Sequence, residues 1–467
     1  MSNFASTKRY NMINKDTICA MATATGGALG VIRISGEKTI KIVNSIFSKE
    51  LSNAKSHTIH YGMITGDDGM MIDEVVVSLF KSPHSYTGEE SAEISCHGST
   101  YIIHQIISLL IHHGCRMAEP GEFTKRAFLN GKMDLSQAEA VADLIASSNK
   151  ANHQIAISQL KGSISNELAV LRDKLLHLTS LMELELDFSD HEDLQFADRT
   201  ELLQLAQTIE KRISRLANTF ETGQALKQGI PVAIIGKTNV GKSTLLNRLV
   251  GEERAIVSDI HGTTRDTIED IIDINGVTFR FIDTAGIRQT QDTVEMIGIK
   301  RTYQSMEKAR IIIWLTDQQP TDEERDIIMT RCQGKALIWA RNKIDLTNEV
   351  TESGNLPHPN DNLYHIAISA KHNTHINELK ELIFQAAKLE TLDGDCAIVT
   401  SARHYNILCT ALDDIRRVVS GMREGLSSDL VAEDLRLVIN NLSEITGGTI
   451  TTDEVLGNIF QHFCVGK

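Results

Sequence analysis

The chain has 467 residues, is 41% hydrophobic and 23% charged, and carries a formal net charge of −14 at pH 7. This is the profile of a globular protein of roughly three domains, and its acidity argues against broad non-specific binding to nucleic acid. It has no run of about 20 apolar residues to span a membrane and no apolar signal core in Met1 to Tyr10. Its seven cysteines form no CxxC pair, which points to reduced thiols in a cytoplasmic setting rather than disulfides or a structural zinc.

Residues 1–130 alternate short β-rich runs with glycine turns. Gly30-Val31-Ile32-Arg33-Ile34 and Glu74-Val75-Val76-Val77-Ser78-Leu79-Phe80 read as strands, and Ile102 to His112 as a helix. A compact α+β domain is expected here. Residues 131–222 read as helical. Leu160, Ile164, Leu168, Leu171, Leu175, Leu178 and Leu181 recur at spacings of three and four, as do Leu202, Leu205, Ile209, Ile213, Leu216 and Phe220. Lys211-Arg212-Ile213-Ser214-Arg215 is a short basic cluster best read as a solvated helix face.

At residues 236–243 the chain reads Gly236-Lys237-Thr238-Asn239-Val240-Gly241-Lys242-Ser243. The apolar run Val232-Ala233-Ile234-Ile235 precedes it and the helical pattern Thr244 to Leu249 follows. Strand, glycine loop and helix are the context that turns this motif into a phosphate site. Backbone N–H groups curl around the phosphates, Lys242 reaches the β- and γ-phosphates, and the Ser243 hydroxyl can ligate Mg²⁺. Asn239, Val240, Gly241, Lys242, Ser243 and Thr244 are the nucleotide-binding candidates of this loop.

Three later segments select the base and sense the terminal phosphate. Asp283-Thr284-Ala285-Gly286 ends the apolar run Val277 to Ile282. Asn342-Lys343-Ile344-Asp345 follows Ala336 to Ala340, and Ser369-Ala370-Lys371 follows Tyr364 to Ile368. A carboxylate at Asp345 accepts the paired N1–H and 2-amino donors of guanine. Adenine lacks that pair and would leave a buried Asp unpaired. Gly262-Thr263-Thr264-Arg265-Asp266 reads as a switch loop whose threonines can complete the Mg²⁺ shell. A Ras-like GTPase domain over 223–385 is expected, with Leu356 to Asn362 as a surface loop.

Where many GTPases place a water-orienting Gln after Asp-x-x-Gly, this chain has Ile287. Asn239 offers another route by resemblance to potassium-activated GTPases, where an Asn here holds K⁺ beside the β- and γ-phosphates and the ion supplies the charge of an arginine finger. It is also an ordinary turn former. Glu295 can position the attacking water or simply face solvent on a helix.

The helical pattern resumes over 386–467 with Leu408, Leu412, Ile415, Val419 and then Leu435, Val438, Leu442, Ile445. Each helical half needs a partner for its apolar face, so one bundle with the nucleotide domain inserted into it is the economical arrangement.

Further segments add to these motifs. They are Arg33-Ile34-Ser35-Gly36, Tyr86-Thr87-Gly88-Glu89-Glu90, Cys96-His97-Gly98, Pro120 to Lys132, Asp134 to Ala140, and the ending Phe463-Cys464-Val465-Gly466-Lys467. With them the chain resembles the MnmE (TrmE) family, the tRNA uridine 5-carboxymethylaminomethyl modification GTPases, over nearly its whole length after Asp16. The resemblance implies an N-terminal domain that dimerises and binds 5,10-methylene- or 5-formyl-tetrahydrofolate. Arg33, Glu93, Lys132 and Lys467 match the folate-binding positions, and Cys464 matches a suspected participant at the modification site. A carboxylate such as Glu93 can grip a pterin edge bidentately, and basic groups suit the glutamate tail. The resemblance also places K⁺ at Asn239, Ser258, Ile260 and Thr263, Mg²⁺ at Ser243 and Thr264, and a hydrolytic role at Glu295. It implies a homodimer that forms a heterotetramer with the flavoprotein MnmG (GidA) and acts on C5 of wobble uridine in tRNA. A ribosome-assembly or regulatory K⁺-dependent GTPase is the alternative reading. Ala22 to Gly30 departs from the family's Arg-containing glycine loop, Ser258 stands where Thr is usual, and Val465 where Ile or Leu is common.

Overall fold

The computed structural model describes residues 16–187, 199–252, 270–282, 303–346, 362–388 and 397–448, together with Phe460, Phe463 and Gly466. The chain divides into two compact units. One comprises residues 1–145, 159–213 and 406–467, the other 146–158 and 214–405.

The first unit opens with a six-stranded sheet in the order β3-β4-β5-β2-β1-β6. Its strands are β1 (Thr17–Met21), β2 (Leu29–Ser35), β3 (Thr58–Thr65), β4 (Met71–Phe80), β5 (Ser91–His97) and β6 (Cys115–Met117). Neighbours are antiparallel except β1 and β6, which run parallel. Side chains alternate across a strand. Ile32 and Ile34 therefore point to one face with Val75, Val77 and Ile94, where α1 (Thr39–Ile46) and α2 (Thr100–His112) bury Ile42, Val43, Ile46, Ile103, Ile106 and Leu110 against them. Each such side chain contributes about 1.5–3 kcal/mol. Arg33, between the two isoleucines, faces the other way. That second face carries Ile18 and Ala20, which cluster with Phe123 of α3 (Glu122–Leu129).

A charge network fastens α3. Arg126, 3% exposed, donates to Asp16 Oδ1 at 2.7 Å, Glu89 Oε2 at 3.2 Å and Glu122 Oε1 at 3.0 Å. Arg116 reaches Asp16 at 2.7 Å and Glu122 at 2.6 Å. Burial alone would raise the Asp16 and Glu122 carboxyls. Hydrogen bonds, those from Arg116 foremost, outweigh burial and hold both below the usual carboxylate range.

Helices α4 (Leu135–Ala146), α5 (Lys150–Leu160), α6 (Ser163–Asp187) and α7 (Arg199–Gln228) follow. The start of α5 packs within the second unit. Ala151 N–H donates to Gly276 O at 3.0 Å, and Asn149 Nδ2 to Thr278 Oγ1 at 2.6 Å. The sheet of this unit runs β12-β11-β10-β7-β9-β8, with β7 (Ile230–Ile235), β8 (Asp270–Ile274), β9 (Val277–Phe281), β10 (Ile311–Thr316), β11 (Ala336–Arg341) and β12 (Leu363–Ala367). All its pairings are parallel except the β8–β9 hairpin. Helices α8 (Lys242–Glu252), α9 (Asp322–Arg331) and α10 (Ile376–Ala386) belong to it. Neither β8 nor β10 is among the strands expected from sequence. The β10 run Ile311-Ile312-Ile313-Trp314-Leu315 is buried throughout, and such a run lacks the alternation that marks a strand.

Helices α11 (Ala402–Glu424) and α12 (Ser428–Ile445) return to the first unit, where α12 packs along α6. Their buried stripes are Leu168, Leu171, Leu175, Leu178 and Met182 on α6, and Val431, Leu435, Val438, Leu442 and Ile445 on α12. Leu160, Leu181, Leu205, Phe220 and Leu412 of the expected stripes are only half-buried. Met182 rather than Leu181, Ala206 rather than Leu205, and Ala411 rather than Leu412 are fully buried, because a 3.6-residue turn drifts off a strict three–four spacing. Buried Asp414 joins α11 to α12, accepting from Arg417 Nη2 and from Asn441 Nδ2, each at 2.6 Å.

Candidate functional site

In the second unit the chain leaves β7 and returns as β9 on one side, then as β10 on the other. The loop after β7 therefore sits at the point where an open parallel sheet forms its ligand crevice. Because β7, β11 and β12 run parallel, the loops that follow them emerge at one edge of the sheet. These loops carry residues 236–241, 342–345 and 369–371.

The phosphate loop needs its glycines. Gly236 has φ 150°, and a Cβ there would lie 2.2 Å from Leu315 O. Gly241 has φ 102°, and a Cβ there would lie 2.3 Å from Asn342 Nδ2. Asn239 is exposed and also left-handed, at φ 63°, a conformation Asn tolerates better than most residues. Lys242 opens α8 and donates to Gly236 O and Lys237 O, both at 2.6 Å. Its ammonium thus lies on the loop's own carbonyls, and burial lowers its pKa. A charge held there gains by meeting an anion. Ser243 is half-buried and Thr244 exposed in the first turn of α8. An anion in this cradle would also meet the positive end of that helix.

Asn342 ties the phosphate loop to the base loop. It is 4% exposed; its Nδ2 donates to Val240 O at 2.7 Å, and its Oδ1 accepts from Ala370 N–H at 3.0 Å. Lys343, at φ 64°, donates to Asp317 Oδ2 at 2.9 Å. Buried Ser369 donates its hydroxyl to Asp345 Oδ1 at 2.6 Å, and this bond holds the Asp345 carboxyl below the usual range. Asp345 lies at the surface rather than buried, so the base itself must cover it for an unpaired carboxylate to be costly. Lys371 is exposed, and its carbonyl accepts from Arg248 Nη2 at 3.1 Å. The clamp by Asn342 and the orienting bond from Ser369 are invisible to motif spacing, because neither contact is local in sequence. The expected site residues Ser258, Ile260, Thr263, Thr264, Asp283, Thr284, Ala285, Gly286 and Glu295 lie outside the described residues.

A second polar cluster lies in the first unit, on the sheet face opposite α1 and α2. Arg33 and Glu93 are direct cross-strand partners. Arg33 Nε and Nη2 both bond Glu93 Oε1, at 2.9 and 2.8 Å, which leaves Oε2 for another donor. The guanidinium sits 5.4 Å from the Tyr86 ring centre and 5.8 Å from that of Phe123. Arg33 Nη1 also donates to Gly466 O at 3.2 Å. Lys132 donates to Pro83 O at 3.0 Å, on the same loop as Tyr86. Phe460 and Phe463 pack with Phe128, Leu129, Leu135 and Ala138, which holds the chain's end beside α3. Cys464 and Lys467 lie outside the described residues.

A glycine-built phosphate loop, joined by Asn342 at one sheet edge to the loops bearing Asp345 and Ser369, gives the second unit the form of a P-loop domain of the guanine-nucleotide-binding class. The helical-domain model of MnmE matches residues 135–464, and the model of the GTP-binding protein TrmE N-terminus matches residues 17–132. The chain is 54% identical to the tRNA modification GTPase MnmE of Bacteroides fragilis, over 97% of this chain and all of that protein. It is 51% identical to that of Flavobacterium johnsoniae, over 98% of this chain and all of that protein. Among solved structures, the G domain of the T. maritima FeoB iron transporter is similar over 34% of this chain and 99% of its own, at 23% identity and a TM-score of 0.26. The chain belongs to the MnmE family of tRNA modification GTPases. No helix among the described residues is long and apolar enough to cross a membrane.

Proposed function

We propose that the chain hydrolyses GTP in a K⁺-dependent manner and thereby drives modification at C5 of wobble uridine in certain tRNAs. In this reading a tetrahydrofolate one-carbon unit becomes the C5 methylene of a carboxymethylaminomethyl or aminomethyl group. The protein works in the cytoplasm as a homodimer, joined by the flavoprotein MnmG (GidA) in a heterotetramer.

The observation that carries the folate reading is the position of Arg33. It joins a carboxylate with one free oxygen, two aromatic rings and the carbonyl of Gly466. The Glu93 Oε2 fits the N–H edge of a pterin, the exposed Tyr86 ring offers it an apolar wall, and Lys132 suits an anionic tail. Gly466 is sequence neighbour to the candidates Cys464 and Lys467, which in this reading serve the same folate. When bound, the folate supplies the one-carbon unit. The chain's residues bind and orient it, and the Cys464 thiolate is the available nucleophile.

In the nucleotide pocket, Lys242 would use the N–H not spent on Gly236 O and Lys237 O to meet a phosphate oxygen, and Ser243 and Thr264 would hold Mg²⁺. Asn239 would hold K⁺ with Ser258, Ile260 and Thr263, and that ion would supply positive charge as hydrolysis proceeds. Glu295 is the candidate for placing water, given Ile287 where a Gln is usual.

Saturable binding of 5-formyl-tetrahydrofolate to the full chain, weakened at least about 10-fold in Glu93→Gln, is the expected result. A chain that binds no folate would overturn the reading. GTP hydrolysis should run faster in K⁺ than in Na⁺, with the difference gone in Asn239→Ala; equal rates in both salts would remove the ion assignment.

A further inference from the structure

The hairpin between β3 and β4 meets the end of α2, away from both sites described above. Asp67 sits at the hairpin tip, which is closed by the Gly66 N–H bond to Met70 O at 2.9 Å. Helix α2 ends at His112, and His113 caps it at φ −83° and ψ 3°. Adjacent side chains diverge on a continuing helix; the helix end turns these two rings toward one carboxylate. Asp67 Oδ2 lies 2.7 Å from His112 Nδ1, and Asp67 Oδ1 lies 2.9 Å from His113 Nε2. Ligand atoms of the three side chains fall within 4.8 Å of one another, a grouping found nowhere else among the described residues.

The proton count at His113 is informative. Ser45 Oγ donates to Ile42 O at 2.6 Å, so its own proton is committed. Its 3.0 Å contact with His113 Nδ1 must then run from ring to hydroxyl, which puts a proton on Nδ1. Nε2 faces the Asp67 carboxylate, and a neutral ring has no second proton to place between them. The Nε2 lone pair and the carboxylate oxygen then face each other at 2.9 Å, an arrangement that suits a shared cation. A ring whose outer nitrogen is tied to an oxygen acceptor while the other faces a carboxylate has the orientation of metal-bound imidazoles. The C-terminal end of α2 also favours positive charge.

We propose that Asp67, His112 and His113 form a divalent transition-metal site of the zinc class, with Ser45 positioning His113. Two imidazoles and a carboxylate suit Zn²⁺, Co²⁺ or Ni²⁺, whereas Ca²⁺ and Mg²⁺ prefer oxygen ligands. The His112 side chain is 74% exposed and that of Asp67 51%, so a fourth position opens to solvent, as in three-ligand zinc sites. On binding, His112 ligates through Nδ1 and keeps its proton on Nε2. His113 ligates through Nε2, and any proton held there leaves to solvent. The metal fastens the β3–β4 hairpin to α2 and, through Ser45, to α1.

The test is titration of the full chain with Zn²⁺ against a chromogenic chelator, and with Co²⁺ by visible absorption. Wild type should take up about one equivalent more Zn²⁺ than His112→Ala and show a Co²⁺ band the variant lacks. Asp67→Asn should lose the same equivalent. Ser45→Ala should keep the stoichiometry and bind about 10-fold more weakly. Circular dichroism and GTP hydrolysis should be unchanged in His112→Ala, an exposed position outside the nucleotide pocket. Equal Zn²⁺ uptake by wild type and His112→Ala overturns the site. Uptake lost in His112→Ala but retained in Asp67→Asn overturns the three-ligand arrangement.

Discussion

Asn342→Ala tests the clamp between the phosphate and base loops. The substitution removes both buried bonds at once, the donor to Val240 O and the acceptor for Ala370 N–H. Val240 is 2% exposed and Ala370 1%, so both backbone groups lose their partner away from solvent. Each orphaned group costs about 1–3 kcal/mol. A water entering the vacated space recovers part of this, leaving about 3 kcal/mol, or on the order of 100-fold in an equilibrium. If the loops separate while the domain stays folded, the whole cost falls on nucleotide affinity. Isothermal titration with GDP should then show Kd raised on the order of 100-fold. If the loops hold together, the cost appears as a fall in melting temperature of about 2–4 °C per kcal/mol. Asn342→Asp should be worse, because it sets a carboxylate against the Val240 carbonyl. Gly241→Ala should resemble Asn342→Ala, since its Cβ would sit 2.3 Å from the same Nδ2. An Asn342→Ala chain that binds GDP within about threefold of wild type and melts at the same temperature would refute the clamp.

Asp345→Asn should lose GTP by at least about 10-fold and gain xanthosine triphosphate, whose 2-oxo group accepts from the new amide; competition binding that still favours GTP would remove Asp345 from base recognition. Arg126→Met leaves Asp16, Glu89 and Glu122 without their shared cation and should destabilise the first unit by about 3–5 kcal/mol at pH 7, with partial recovery near pH 5 as the carboxyls protonate; an unchanged melting curve at pH 7 would contradict this. In the wild type, the lowered Asp16 and Glu122 carboxyls stabilise the fold above their unfolded pKa of about 4, and this is lost as pH falls through the lowered values. Melting temperature should therefore hold from pH 7 to about 5 and fall steeply below about 4, and a flat acid limb would count against the network. Gly466→Ala, at φ 95° and with its Cβ 2.0 Å from Met21 O, should displace the backbone that bonds Arg33 and weaken 5-formyl-tetrahydrofolate binding; unchanged binding would detach Gly466 from the folate site.

Much of this fold is legible in sequence because its signals are local. The stripes of α6 and α12 recur within one turn, and the phosphate loop carries its chemistry in eight consecutive residues. What resists reading is whatever depends on distant partners. Asn342 stands 102 residues from Val240, and Arg33 stands 433 from Gly466. The motif containing Asn342 suggests base contact, yet one of its two N–H donors and its oxygen are already engaged within the protein. Glu93 and Lys132 are ordinary surface charges in sequence, and only the β2–β5 register sets Glu93 against Arg33. Strand β10 escapes for a different reason: burial on both faces erases the alternation that would reveal it.

The clamp also changes how nucleotide recognition divides. Phosphate binding by the loop after β7 and base binding by the loops after β11 and β12 look like separate tasks in sequence. Asn342 makes them one mechanical element, since the Val240 carbonyl and the Ala370 amide hang on the two ends of a single side chain. Lys242 adds to this, because two of its three N–H donors sit on Gly236 O and Lys237 O and hold the third in the loop where a phosphate would lie. Strain introduced in the phosphate loop would thereby reach Ala370, beside the Ser369 hydroxyl that holds the Asp345 carboxylate. Guanine selectivity in this chain should therefore weaken when the phosphate loop is loosened, even by a substitution that touches no part of the base.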